Sequence, residues 1–185
     1  MAHAEEKRKI STKEMALVGM MAAVLCVVSP FSIPIPVSPV PLTLATFVLY
    51  LSLYTLGTKK ALLSCLIYLL IGFAGLPVFS GFSGGIGKLV GPTGGYMVGY
   101  LFLLGVGGFL LNKSGGNILL QIGSLIAGTL ICYAFGTIWL CVQMQLDFAG
   151  GLAAGVIPYL PGDAVKILAA AALGQAIARA IRRAA

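Results

Sequence analysis

Charge is what this chain has least of. Only 9% of its 185 residues are charged, with five acidic side chains, a single histidine and a single tryptophan. The lone histidine, His3, sits in a polar tail, and the four cysteines show no Cys-x-x-Cys spacing, so the ligand set for a metal site is missing. Cys26, Cys65, Cys132 and Cys141 all fall in apolar stretches and read as packed free thiols. Beyond the N-terminal region the only carboxylates are Asp147 and Asp163, and no nucleophile stands beside a base, which argues against an enzyme and against a bound cofactor. Nucleotide motifs are absent too. Gly87-Lys88 lacks the glycine a phosphate loop needs five positions earlier, where Phe82 stands, and Leu89 replaces the magnesium-holding Ser or Thr. Gly85-x-Gly87 has Val90 in place of a third glycine and no strand before it.

What is present is hydrocarbon. The chain is 59% hydrophobic with a mean hydropathy of +1.02, well outside the soluble range. It reads as an all-α membrane protein, a single domain over residues 1–185 with a polar tail at 1–13. Gly, Pro and charge divide it into six apolar segments, 14–29, 41–56, 60–73, 94–111, 117–144 and 152–179, without the alternation of barrel strands. The third is short, and 75–79 is a candidate extension. The net charge of +7 does not mark a nucleic-acid binder, because the cations bracket the spans. Lys7, Arg8, Lys9, Lys13, Lys59, Lys60, Lys113, Arg179, Arg182 and Arg183 fall on one side of a six-span arrangement and Lys88 alone on the other. That asymmetry predicts cytoplasmic N- and C-termini in a plasma-membrane protein. No small-residue cleavage site follows the first apolar run, so the first helix is expected to stay.

Three loops then face outward. Residues 30–41 carry proline at nearly alternate positions, which forbids helix and favours a stiff extended segment, either a lid over a cavity or a plain strap. Residues 75–94 are rich in glycine, whose bare backbone either approaches a ligand closely or simply lets helices pack. Lys88 in this loop either holds a carboxylate at the cavity mouth or is solvated. The third loop is 145–151.

One pair of charges breaks the apolar rule. Asp163 and Lys166 stand alone between residues 152 and 177, in the run Pro161-Gly162-Asp163-Ala164-Val165-Lys166. Ionisable groups at membrane depth mark functional sites, and at i and i+3 the two share a helix face. Asp163 lies about 12 residues, roughly 18 Å, in from residue 151 along a helix, near the midplane. Pro158 and Pro161 free carbonyls at the same depth, as in the half-unwound helices of transporters. Tyr96, Tyr100, Trp139, Gln143 and Tyr159 fall in the outer half, as cavity wall or, for Tyr96, Trp139 and Gln143, as interfacial residues. An internal ion pair that only fixes packing is the bland alternative for Asp163 and Lys166.

These strings carry a specific resemblance. Gly75-Leu-Pro-Val-Phe79, Gly84-Gly85 and Gly91-Pro-Thr-Gly-Gly-Tyr96, followed by Pro161-Gly162-Asp163-x-x-Lys166, resemble the BioY family, the biotin-binding membrane subunits of energy-coupling factor transporters. The resemblance covers essentially the whole chain. It implies a subunit that captures biotin from outside and passes it inward with a coupling transmembrane subunit and ATPase subunits, ATP being used only by those partners. The ureido ring offers two N–H donors and a carbonyl, so Asp163 can accept while Lys166 donates, with Tyr159, Tyr96, Gln143, Ser83, Gly84, Gly85 and Lys88 as further candidate contacts. A reversed pose, with Lys166 on the valerate carboxylate, fits the same residues. Ser83 and Met97 depart from the larger polar side chains common in the family. The family's Ala-x-x-x-Ala docking surface on the first span becomes Ala16 with Met20, while Gly19 and Ala23 form a neighbouring small-residue face, which intramolecular packing would also explain. Two other functions stay compatible with the residues: a subunit of this kind for another vitamin, and a proton-coupled carrier using Asp163 as relay.

Overall fold

The computed structural model describes residues 11–36 and 38–184, with side chains up to residue 180. His3, Lys7, Arg8 and Lys9, and the side chains of Arg182 and Arg183, lie outside the described residues. The chain is mostly helical. Helix α1 (Thr12–Val28) begins at a capping box, in which Ser11 Oγ accepts from the Glu14 backbone N–H and the Glu14 carboxylate accepts from the Ser11 N–H. Helices α2 (Ala45–Leu56) and α3 (Thr58–Phe73) meet at Gly57. Short α4 (Ile86–Val90) precedes α5 (Gly94–Phe102), which runs through a π-turn at Leu103–Gly107 into α6 (Gly108–Lys113). Helix α7 (Ile118–Met144) follows, then α8 (Phe148–Gly155), a 3-10 turn at Ile157–Tyr159 and α9 (Leu160–Ala184).

Apart from α4, which lies in the glycine-rich loop, these helices overlap the six apolar segments, with differences at the first outward loop and at the end of the third segment and with the expected break in the last. Two short antiparallel strands, β1 (Ser32–Ile33) and β2 (Leu42–Thr43), pair Ser32 with Thr43 and Ile33 with Leu42, so the fold is not purely helical. The proline-rich segment cannot supply helical N–H groups, and this ladder closes it into a loop and delays α2 to Ala45. The third segment stops at Phe73 instead of continuing to 79, because Gly75 turns the chain at φ +102°. The last segment is broken: Pro158 has no N–H for the ladder and its ring opposes the carbonyl four residues earlier, while Pro161 is tolerated in the first turn of α9.

Among the described residues three helical stretches are long and apolar enough to cross a membrane: 94–113, 118–144 and 148–180. Packing is tight where small residues meet. A Cβ added at Gly128 of α7 would lie 2.8 Å from the Leu103 carbonyl oxygen, so glycine lets α7 press against the π-turn. Large side chains such as Leu119, Val142 and Val165 point outward, as a lipid-facing surface requires. Polar contacts gather at the two ends. At one, Lys60 pairs with Glu14 at 2.8 Å, Asn112 bonds Thr58 and Gln175 bonds Gln121. At the other, the two long loops lean together: the Gly81 N–H donates to the Pro30 carbonyl at 2.9 Å, and Phe31 meets Phe82 edge to face.

Candidate functional site

The break before α9 places Asp163 in that helix's first turn, where the N-terminal partial charge favours a carboxylate. Lys166, one turn on, donates from Nζ to Asp163 Oδ1 at 2.7 Å and to Thr46 Oγ1 of α2 at 3.3 Å. Asp163 Oδ2 accepts from the Tyr133 hydroxyl of α7. Tyr133 stands 11 residues before the end of α7, or ~16 Å along it. Asp163 and Lys166 are only 6% and 8% exposed, so each needs the other and both hydroxyl partners to offset lost hydration. Beside them, Tyr50 and Thr129 share a 2.7 Å hydrogen bond that ties α2 to α7.

The ion pair borders a cavity of about 50 Å³ that is walled by Tyr96, Tyr100, Leu103 and Tyr133 and roofed by residues 40–43. Tyr159, from the 3-10 turn, holds that roof: its hydroxyl bonds Ser38 Oγ at 2.7 Å and donates to the Val40 carbonyl. Tyr96 closes another side by donating to the Gly155 carbonyl that the helix break leaves free, at 2.9 Å. A second lobe of about 30 Å³ adjoins, sharing Val40, Pro41, Thr43, Tyr96 and Tyr100 as common wall. These volumes suit one or a few waters, against roughly 300 Å³ or more for a typical ligand pocket, so admitting a bicyclic molecule requires the 30–43 loop to shift.

Of the residues singled out from sequence, the fold brings Asp163, Lys166, Tyr159, Tyr96 and Tyr100 to one cavity. Ser83, Gly84, Gly85 and Lys88 do not line it. The glycine-rich loop is stacked on the end of α3: the Gly85 N–H donates to the Gly72 carbonyl at 2.7 Å, and a Cβ on Gly84 would strike the Leu76 backbone. Ser83 Oγ is used on the Ser80 carbonyl at 2.8 Å. Partial burial holds the Lys88 ammonium below the ordinary lysine range. Gln143 is exposed on α7, while its neighbour Trp139 donates to the Gly91 carbonyl at 2.9 Å and steadies the loop. Met97 is buried in the wall of the second lobe. On α1, Ala16, Gly19, Met20 and Ala23 all face outward, and among the described residues nothing lies within 4 Å of a Cβ built on Gly19, so packing against those residues does not account for that position. Asp147 caps α8 by accepting from the Gly150 N–H.

Sequence reasoning missed Tyr133 and Thr46. Tyr133 had one readable signal, a tyrosine in mid-span instead of at an interface; Thr46 had none. Among the described residues no three His, Cys, Asp or Glu side chains come together as metal ligands, and all four cysteines are free.

A bundle with apolar outer faces, a broken last helix and a buried ion pair under a tethered loop defines a helical membrane protein with an internal polar site. Residues 4–183 match the BioY family model, and the chain belongs to the BioY family. It is 36% identical over 159 residues to the biotin transporter BioY of Thermotoga maritima, covering 86% of this chain and 92% of that one. It is 35% identical over 166 residues to the probable biotin transporter BioY of Pyrococcus horikoshii, covering 90% and 96%. Its fold matches the crystal structure of the S-component for biotin from an ECF-type ABC transporter with a TM-score of 0.82 at 26% identity, covering 98% of this chain and 95% of that one.

Proposed function

We propose that this protein is the biotin-binding S component of an energy-coupling factor transporter in the plasma membrane. It crosses the bilayer six times with both termini cytoplasmic, takes biotin from the side carrying the 30–43 and 74–93 loops, and passes it inward with an ATP-hydrolysing partner module. The observation that carries this reading is the buried Asp163–Lys166 pair facing a roofed cavity in a chain of the BioY family. Asp163 accepts from a ureido N–H and Lys166 donates to the ureido carbonyl, in a water-poor site where such bonds are strong. Tyr159 keeps the roof on, Tyr96 forms the wall, and the outward face of Ala16, Gly19, Met20 and Ala23 lets a partner helix approach closely. The chain needs no cofactor of its own.

The test is ligand identity and affinity. Detergent-purified protein is expected to carry biotin by mass spectrometry and to bind labelled biotin tightly, with binding lost in Asp163→Ala. Copurification of a different vitamin would replace the substrate. Proton-driven uptake into proteoliposomes without any ATPase would replace the mechanism.

A further inference from the structure

At the end of the bundle opposite the two long loops lies an open cavity of about 480 Å³, walled by the ends of α2 and α6, the start of α7 and the last turns of α9. The turn between α6 and α7 closes one side with Gly115 and Gly116, both at positive φ, so bare backbone meets the hollow there. Among the described lining residues Arg179 is the one charged side chain, and no carboxylate stands in the wall. Its guanidinium donates to the backbone and side-chain oxygens of Gln175 at 3.2 and 3.4 Å, which steadies the head and leaves three of its five N–H groups over. Gln121 is only 8% exposed, and its Oε1 accepts from Gln175 Nε2 at 2.9 Å, while its own Nε2 donates to none of the described residues. A nearly buried amide nitrogen without a partner is costly, and beside a guanidinium it is a donor set for an anionic oxygen. Immediately after the turn, Ile118, Leu119 and Leu120 are exposed and apolar, and Lys113 lays its ammonium over the Phe109 ring, 4.3 Å from the centroid. The cavity therefore opens at the level where lipid chains give way to headgroups.

We infer that this cavity holds an anionic phospholipid, with its phosphodiester on Arg179 and Gln121 and its acyl chains along the outward face at the start of α7. On the orientation proposed above, the lipid belongs to the cytoplasmic leaflet. A basic pocket between spans at that level recognises headgroups by charge and hydrogen bonding together. A zwitterionic lipid brings the same phosphate but also a cation, and the described wall offers no carboxylate to answer it. A soluble phosphate ester gains the polar contacts alone, whereas a lipid keeps its chains on Ile118, Leu119 and Leu120 as well. The site shares no lining residue with the ion-pair cavity, so it stands whatever that cavity binds.

The experiment titrates the detergent-solubilised full chain with phosphatidylglycerol, phosphatidylcholine and glycerol 3-phosphate, reading bound lipid by native mass spectrometry and folding by a thermal melt. Phosphatidylglycerol is expected to bind about three- to tenfold more tightly than phosphatidylcholine, with no displacement by glycerol 3-phosphate at the same concentration. Arg179→Gln is expected to erase that preference. Lys59→Gln, which removes an exposed cation at the same end but outside the cavity, is expected to keep it. A Gln121→Leu, Gln175→Leu double variant changes no charge and is expected to weaken phosphatidylglycerol by about three- to tenfold. Equal affinity for the two lipids overturns the inference, and so does displacement by glycerol 3-phosphate. Equal losses in Arg179→Gln and Lys59→Gln overturn it too, because diffuse attraction to a basic surface then suffices. A double variant that melts cooperatively and binds phosphatidylglycerol like the wild type overturns the assignment of Gln121; if that variant fails to fold, the comparison of the two charge variants decides. Biotin binding, measured in parallel, is expected to be unchanged in the charge variants, and its absence from the wild type would remove the functional reading while leaving the lipid site to its own result.

Discussion

Asp163→Ala tests the ion pair most sharply when it is run as one corner of a double-variant cycle with Lys166→Met. Removing Asp163 leaves the Lys166 ammonium almost fully buried with only Thr46, 3.3 Å away, as partner. Removing Lys166 leaves Asp163 with the Tyr133 hydroxyl and the helix N-terminus, a softer loss. Breaking a buried pair costs about 3–5 kcal/mol, and both side chains are too buried for solvent to screen that loss. Asp163→Ala therefore belongs at the upper end and Lys166→Met at or below the lower. At about 2–4 °C per kcal/mol, the first lowers the melting temperature in detergent by roughly 10–20 °C. The double variant removes both charges, so its stability is expected to recover most of the loss, while biotin binding stays absent in all three. The assay is thermal unfolding by intrinsic fluorescence beside equilibrium binding of labelled biotin. If the double variant bound biotin like the wild type, the pair would be scaffolding and the recognition argument would fail.

Other expectations follow from single contacts. Tyr159→Phe removes the hydroxyl that holds Ser38 and Val40, so stopped-flow should show biotin dissociating roughly ten- to a hundredfold faster, with a smaller effect on association. Gly155→Ala places a methyl on the Tyr96 hydroxyl and pushes that wall residue off the Gly155 carbonyl, at a cost of about 1–3 kcal/mol in a thermal melt and with weakened binding. Gly19→Leu sits on the outward face of α1 with open space around it, so biotin binding should be unchanged while ATP-driven uptake with the partner module falls. Lys88→Ala, outside both lobes, should alter affinity by less than about threefold, and a larger loss would bring that lysine back to the ligand.

The residues legible in the sequence were those that break a physical rule. Two charges in hydrocarbon exposed Asp163 and Lys166, and two prolines around them announced the broken helix. Tyr133 and Thr46 break no rule, since hydroxyls are ordinary in apolar helices, and their roles come from α2 and α7 packing beside α9, a neighbourhood that no local pattern encodes. The glycine-rich loop left two readings open for the converse reason. Bare backbone at Gly84 and Gly85 suits a ligand or a neighbouring helix equally, and here it lies against the end of α3. The two-residue ladder at Ser32 and Thr43 was unreadable because prolines mask strand periodicity as thoroughly as they forbid helix.

The most direct measurement is a crystal structure of the chain with biotin. The ureido ring is expected against Asp163 and Lys166, with an N–H on the carboxylate and the carbonyl on the ammonium. A ring seated elsewhere, or a valerate carboxylate paired with Lys166, contradicts it.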